Sequence, residues 1–133
     1  MCVFEGALSR QPSGIFIMAK SIGWVKIHRK LSDKGWYRKS EYVHLWIHLL
    51  IKANHRDREF WFDGKNIKVK RGQMITGRKI LSQETGISES NIQRILKFFE
   101  NEHQIEQRTS NRNRLISILY YDEYQGNEHQ IEQ

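Results

Sequence analysis

The feature that most constrains this fold is a pair of helical patterns separated by a short turn. Residues 77–85 carry apolar side chains at helical spacing, and Gly86, Ile87 and Ser88 then supply a tight turn, an apolar residue and a helix N-cap. The next helix has one apolar stripe, formed by Ile92, Ile95, Leu96 and Phe99. Its opposite face is polar and carries Ser90, Gln93, Arg94, Lys97 and Asn101. The pattern predicts a helix-turn-helix over residues 77–102.

Two alternating segments follow this pair of helices. Residues 104–110 and 115–121 alternate apolar and polar side chains around a polar turn, Asn111, Arg112 and Asn113. Helix, turn, helix and hairpin in this order predict a winged helix, in which the hairpin is the wing. We therefore expect an α+β fold that is mainly helical, with a small antiparallel sheet.

Two further helices are predicted in the first half of the chain. A short amphipathic helix over residues 24–33 is indicated by the helical spacing of Trp24, Ile27 and Leu31. Residues 40–54, with Ser40 as N-cap, are apolar on nearly every side. A helix without a continuous polar face belongs in the centre of a domain, so we expect this one in the core.

An additional β-hairpin is predicted between those helices and the helix-turn-helix. The Asp63-Gly64 dipeptide lies between two alternating segments within residues 60–69, which is a strong short-range hairpin signal. Lysines make the outward face of this hairpin basic. Residues 73–75 can form one more short strand, and Thr76 is expected to cap the helix that follows.

The chain is long enough for one domain with a hydrophobic core, which we expect to span residues 21–125. Residues 1–20 are interrupted by glycine and proline and are expected to form a disordered extension, within which translation can also begin at Met18. The end of the chain repeats the sequence NEHQIEQ of residues 101–107. Because this stretch has no periodicity, residues 126–133 are expected to form a disordered, linker-like tail.

The charge distribution indicates an acidic partner. The chain has a net charge of +7 and a pI near 9.7. Between Gly64 and Lys97 there are eight basic residues and two acidic ones, and the predicted wing adds Arg108, Arg112 and Arg114 with no acidic residue between them. Charge that collects around a helix-turn-helix favours double-stranded DNA as the partner.

Side-chain chemistry divides the candidate DNA-binding residues into two groups. Ser90, Asn91 and Arg94 lie early on the second motif helix, where arginine can pair with guanine and asparagine with adenine. Lysine and arginine elsewhere on the motif and the wing are placed for phosphates. A polar, basic face is also what any soluble helix shows, so the combination with the basic wing carries the prediction. The candidates are Arg78, Lys79, Ser88, Ser90, Asn91, Gln93, Arg94, Lys97, Arg108, Asn111, Arg112, Asn113 and Arg114.

Other classes of function are disfavoured. The single cysteine excludes an internal disulfide framework, and no apolar stretch approaches the roughly 20 residues that span a bilayer, so we expect a cytoplasmic protein. His44 and His48 lie one helical turn apart, but neither the Glu of an HExxH motif nor a third ligand accompanies them. No nucleophile elbow, P-loop or dinucleotide fingerprint is present. We expect no enzymatic activity, no cofactor and no metal.

Phe98 lies on the second motif helix, well off its apolar stripe. We expect its ring either to pack under the wing or to form a contact between two copies of the chain. Self-association is therefore a further expectation.

Five segments in a fixed order carry a family resemblance: GWVKIHRKL at 23–31, WIHLLIKANH at 46–55, KRGQ at 70–73, ETGIS at 84–88 and YDEYQ at 121–125. On these segments the chain resembles the N-terminal domain of bacteriophage replisome organisers, which are related to the DnaD-type primosomal proteins. The resemblance implies a winged helix that recognises a phage or prophage replication origin. It also implies a role in assembling the primosome, with host helicase-loading proteins as partners through a C-terminal region that this chain lacks.

Two alternatives remain open at this point. The same domain can serve a transcriptional regulator, which a footprint at a promoter with no origin requirement would indicate. It can also serve as a protein-interaction winged helix that scaffolds a primosome complex without contacting DNA. Gel shifts separate the second alternative, because phosphate contacts make DNA affinity fall steeply with salt.

Overall fold

The structure is a computed structural model that describes residues 23–62, 64–109 and 114–126, apart from the side chains of Phe60 and Phe62. In this part of the chain the fold is α+β. The helices are α1 (Ser40–Lys52), α2 (Arg78–Thr85), α3 (Glu89–Asn101) and α4 (Tyr121–Gln125). The strands are β1 (Arg58–Phe62), β2 (Lys65–Val69), β3 (Gln73–Thr76), β4 (Ile105–Thr109) and β5 (Arg114–Ile118).

The strands form two separate antiparallel sheets. β1 and β2 pair as a hairpin with Phe62 opposite Lys65, which confirms the hairpin predicted within residues 60–69, and Asp63 lies outside the described residues. The second sheet has three strands in the order β3-β5-β4. Its β4 and β5 pair with Thr109 opposite Arg114, as the sequence predicts for the second hairpin. The intervening turn lies outside the described residues.

One core joins α1, α2 and α3 to the three-stranded sheet. The apolar stripe of α3 is buried as predicted, and Leu45, Leu49 and Leu81 meet it from the other two helices. Phe99 lies at the centre, with its ring centroid 5.1 Å from that of Trp36 and 5.5 Å from that of Trp46. α1 contributes four buried residues to this core, as predicted, but its other side faces solvent, where Ile51 is 62% exposed.

The turn between α2 and α3 also follows the prediction. Gly86 has φ +82°, the left-handed conformation that ends α2, and Ile87 is buried. Ser88 is the N-cap of α3, because its Oγ accepts a hydrogen bond from the amide of Asn91 at 3.3 Å. The cap predicted at Thr76 is wrong. Thr76 ends β3 as a buried residue, and Gly77 occupies the N-cap position of α2 without a side-chain bond.

The amphipathic helix predicted over residues 24–33 is also wrong. Residues 24–28 have no regular secondary structure, and the chain forms a 3₁₀ turn only over Arg29–Asp33. Gln125 binds the backbone of this segment, since its side-chain amide accepts from the Lys26 amide at 2.8 Å and donates to the Lys26 carbonyl at 2.9 Å. These bonds take the place of a helix ladder, and the side chain of Trp24 is 90% exposed.

Several element boundaries differ from the sequence prediction. The strand expected over residues 115–121 ends at Ile118, because Tyr120 adopts φ +61° and α4 begins directly after it. Ser40 is the first residue of α1 rather than its cap, and Lys39 precedes it. The longest helices in the described ranges have 13 residues. None of them has the length and apolar character that crossing a bilayer requires.

Candidate nucleic-acid interface

The polar face of α3 is exposed to solvent. Burial of the apolar stripe against α1, α2 and the sheet turns the opposite side of the helix outward. The residues exposed on that side are Ser90, Gln93, Arg94, Lys97 and Asn101. Four of these five were predicted as DNA-binding residues, and Arg94 and Lys97 lie one turn apart on the same side. The face offers hydroxyl, amide and guanidinium groups in a row about 16 Å long, at 1.5 Å per residue.

The β4–β5 hairpin is attached to one flank of α3 through a chain of polar contacts. Gln107 on β4 donates from Nε2 to Glu100 Oε1 at 3.4 Å, and Arg114 on β5 donates from Nη1 to Gln107 Oε1 at 3.0 Å. Sequence reasoning missed Gln107 and Glu100 as the residues that fix this hairpin. Gln107 and Glu100 are both half-buried, because α3 and β4 pack against each other. Local sequence patterns do not predict such a contact between a helix and a strand.

Arg114 and Arg78 bring two positive charges to the same edge of the interface. Burial lowers the pKa of Arg114, and the charge of nearby Arg78 lowers it further, whereas Glu100 raises it. Arg78 also lies beside α3, with its Nε 3.4 Å from Glu89 Oε1. Both partners of that pair are about half exposed, so the pair is weak and Arg78 can exchange it for a phosphate. Lys79 is exposed on the same turn of α2.

Two predicted site residues are engaged in contacts within the domain. Asn91 donates from Nδ2 to Glu41 Oε1 on α1 at 3.1 Å, so its amide faces α1 rather than the exposed face of α3. Ser88 uses its hydroxyl as the N-cap. The structure therefore brings Ser90, Gln93 and Arg94 to the accessible end of the helix, and it directs Asn91 to one side.

The two described arginines of the β4–β5 hairpin, Arg108 and Arg114, lie on opposite faces. Gln107 and Arg114 lie on the side of the hairpin that faces α3. Because side chains alternate along a strand, exposed Arg108 lies on the opposite side, where it pairs with Leu115. Asn111, Arg112 and Asn113 lie outside the described residues.

Phe98 packs against α1, so the predicted position under the second hairpin is wrong. Its ring is 5.3 Å from that of Tyr42 on α1, in an edge-to-face arrangement, and it is only partly exposed. The ring therefore lies on the flank of α3 that faces α1, and the contact between two copies of the chain stays a prediction.

Lys39 adds a positive charge on this second flank. Its Nζ lies 5.0 Å from the centroid of the Tyr42 ring, which places it beside the Phe98 contact at the start of α1. Sequence reasoning missed Lys39 as a candidate. The available signal was the Arg38-Lys39 pair, two adjacent cations directly before a predicted helix N-terminus.

His48 has a structural role in the described part of the fold. Its Nε2 lies 2.9 Å from Glu84 Oε1, and Lys52 donates from Nζ to the same oxygen at 2.8 Å. The three side chains connect α1 to α2. His44, one turn away, is exposed and does not join them.

Comparisons with known proteins found no match to this chain among protein-family models, curated proteins or solved structures. The functional proposal therefore depends on the residues and their geometry.

Proposed function

We propose that this chain is a winged-helix protein that binds double-stranded DNA sequence-specifically, at a phage or prophage origin during replication initiation. The order of elements supports the winged-helix assignment. Helices α1, α2 and α3 are followed by the β4–β5 hairpin, and β3 pairs with β5 to complete a three-stranded sheet. In this assignment α3 is the recognition helix and the β4–β5 hairpin is the wing.

The observation that carries the proposal is the exposed polar face of α3 with cations on both flanks. On the flank of α3 that faces the wing lie Arg78 and Arg114, and on the flank that faces α1 lies Lys39. Arg94 and Lys97 lie between the two flanks, on the exposed face itself. The major groove of B-DNA admits an α-helix, and the phosphates on its two edges lie on either side of that helix. Two cations on the wing side and one on the α1 side match this arrangement.

The roles of individual residues follow from their positions. Arg94, with Ser90 and Gln93 beside it, is placed to read base edges, since an arginine can donate two hydrogen bonds to guanine. Lys97, one turn further along, is placed for a phosphate. Glu89 opposes binding through its negative charge, and its pair with Arg78 is the contact most easily exchanged on DNA.

The replication role is supported by the five sequence segments that resemble replisome organisers. DNA binding is supported by the exposed face of α3 and the cations on its flanks. A transcriptional regulator would use the same surface. Selection of bound fragments from the surrounding genome separates the two roles, because a replication protein recovers an origin and a regulator recovers a promoter. A scaffold that does not contact DNA recovers no fragment above background.

Arg94→Ala and Lys97→Ala test the surface on the full chain. On a selected duplex we expect Arg94→Ala to weaken binding by about 5- to 150-fold and to lower the preference over random sequence. Lys97→Ala should weaken binding to all duplexes and reduce the slope of log affinity against log salt by about one unit.

Lys30→Ala is the matched control for both variants. Lys30 is an exposed cation on the 3₁₀ turn, in a cleft lined by Gln104 and Tyr124, away from the exposed face of α3. Lys30→Ala should leave unchanged both the affinity for the duplex and the slope of log affinity against log salt. Salt-independent binding, or equal losses in all three variants, would contradict the proposal.

A further inference from the structure

The β1–β2 hairpin presents a tryptophan to solvent next to cations. Trp61 is 74% exposed, although tryptophan is a residue that folding normally buries. The strand register places Trp61 opposite Asn66, and Glu59 opposite Lys68, so these four side chains share one face of the hairpin. All four are exposed.

The surroundings of Trp61 are unsuited to a protein contact. The core of a protein interface is a contiguous patch of apolar side chains from which charged residues are depleted. The neighbours of Trp61 on its own face are instead a glutamate, an asparagine and a lysine, with Asn66 Nδ2 donating to Glu59 Oε1 at 2.9 Å. A single indole ring among polar groups has the area of one base and offers a flat surface for stacking.

The charge of the hairpin is complementary to a nucleic-acid backbone. Between residues 58 and 70 the sequence has four cations, Arg58, Lys65, Lys68 and Lys70, and two carboxylates, Glu59 and Asp63. The four cations are exposed. Lys68 lies two residues from Asn66 on the face of Trp61, about 7 Å along the strand, which is within reach of a phosphate next to a stacked base.

The base of the hairpin is held firmly by Arg71, which directly follows it. The Arg71 amide donates to Asp57 Oδ1 at 2.9 Å, and its guanidinium donates to the His55 carbonyl at 2.7 Å and to Asp122 at 2.5 Å. These contacts connect both ends of the hairpin to α4. Trp61 is therefore presented on an anchored element.

The position of this hairpin separates it from the α3 interface. β3 runs antiparallel to β5, so that its first residue, Gln73, pairs with Ser117 and its last residue, Thr76, pairs with Arg114. The β1–β2 hairpin joins β3 at the Gln73 end, and the turn of the wing lies at the Arg114 end. A ligand on Trp61 is therefore not part of the duplex segment held by α3 and the wing.

We propose that the β1–β2 hairpin is a second nucleic-acid site, which binds single-stranded DNA by stacking an unpaired base on Trp61 with Lys68 on a neighbouring phosphate. This activity goes beyond the duplex binding proposed above and does not depend on it. Stacking on an aromatic ring does not distinguish the four bases strongly, so the site accepts strands of varied sequence.

The test is fluorescence anisotropy of the full chain with a fluorescein-labelled oligothymidylate of about 15 nucleotides. Trp61→Ala should weaken binding about 5- to 100-fold, the range expected for loss of one base-stacking contact. Trp61→Phe should restore most of the affinity, because phenylalanine keeps an aromatic face. Lys68→Glu should weaken binding and reduce its dependence on salt.

Trp24→Ala is the matched control, because Trp24 is 90% exposed and lies outside the hairpin. It should bind the oligonucleotide as the unmodified chain does. Circular dichroism and thermal unfolding should be unchanged in both tryptophan variants, since neither side chain is in the core.

Three results would overturn this proposal: no binding of the oligonucleotide, equal binding by Trp61→Ala, or an equal loss in Trp24→Ala. Loss of self-association in Trp61→Ala with unchanged oligonucleotide binding would assign the ring to a protein contact instead. Arg94→Ala separates the two proposals, because it should weaken duplex binding and leave binding to the single strand unchanged.

Discussion

Gly72 shows how one residue constrains the connection between the two sheets. Its φ of +83° is in the left-handed region that favours glycine, and its amide donates to the Asn54 carbonyl. A Cβ at this position would lie 2.8 Å from the Cβ of Tyr121, which is too close for any relaxed contact. The glycine therefore permits α4 to pack directly on the β2–β3 connection.

Gly72→Ala should lower the free energy of unfolding by about 1–3 kcal/mol, because it adds backbone strain to an overpacked contact. Urea unfolding followed by circular dichroism measures the change. Gly35→Ala is the control, since Gly35 has no atom within 4 Å of an added Cβ and does not have a positive φ. A loss no larger than that of the control would show that the contact with Tyr121 relaxes freely.

Residue patterns predicted contacts near in sequence better than contacts distant in sequence. Ser88 and Gly86 were predicted because a cap and a left-handed turn are set by residues next to them. Gln125 holds Lys26 from 99 positions away, and Asn91 meets Glu41 from 50 positions away. Neither pairing leaves a periodic signal in the sequence, so the non-helical segment at Lys26 and the orientation of Asn91 were not predicted.

At the scale of elements, α1 and α2 are connected by a partly buried ion-pair cluster. Glu84 on α2 accepts hydrogen bonds from His48 and Lys52 on α1. Burial raises the pKa of Glu84, but these hydrogen bonds and the charge of Lys52 and His48 outweigh it and leave the pKa below its usual value. The ionised carboxylate is therefore favoured in the folded protein.

This shift predicts a pH dependence of stability. A carboxyl group whose pKa is lower in the folded state stabilises the fold above its unfolded pKa, near 4.5, and this contribution is lost as pH falls through the folded pKa. Glu84→Gln should lower the free energy of unfolding at pH 7 by about 1–3 kcal/mol. The difference from the unmodified chain should narrow below pH 4.5.

Urea unfolding at pH 7 and at pH 3.5 to 4 measures this difference. Exposed Glu123 on α4 supplies the control variant Glu123→Gln, which should change stability little at either pH. A destabilisation by Glu84→Gln that is the same at both pH values would show that charge at Glu84 does not stabilise the contact between α1 and α2.

The helix predicted at α3 is present, whereas the helix predicted over residues 24–33 is not, and the difference has a physical cause. α3 has 13 residues, a Ser88 cap and four buried apolar side chains, so its local preference and its packing agree. The earlier segment has Gly23 at φ +87° in front of it, and none of its ten residues is buried, so a short helix there would have no packing to support it. Hairpin and helix types were thus predictable, whereas element ends and the 3₁₀ turn depended on tertiary contacts.

At the scale of the whole molecule, the proposals assign different ligands to different ends of the fold. The exposed face of α3 with the wing is proposed for a duplex, and the β1–β2 hairpin for an unpaired strand. The two regions are joined through β3 and the Arg71 contacts. A protein with both activities could hold a duplex and an adjoining opened strand together, which suits the first step of replication.

The central proposal is that the exposed face of α3 and the β4–β5 hairpin contact one duplex together. The most direct measurement is a titration of the uniformly ¹⁵N-labelled full chain with a duplex of about 15 base pairs, followed by amide chemical shifts. We expect the largest changes at Ser90, Gln93, Arg94, Lys97 and along β4 and β5, with small changes along β1 and β2. Changes that are largest at the 3₁₀ turn and α4, or that affect the β4–β5 hairpin without α3, would contradict the proposal.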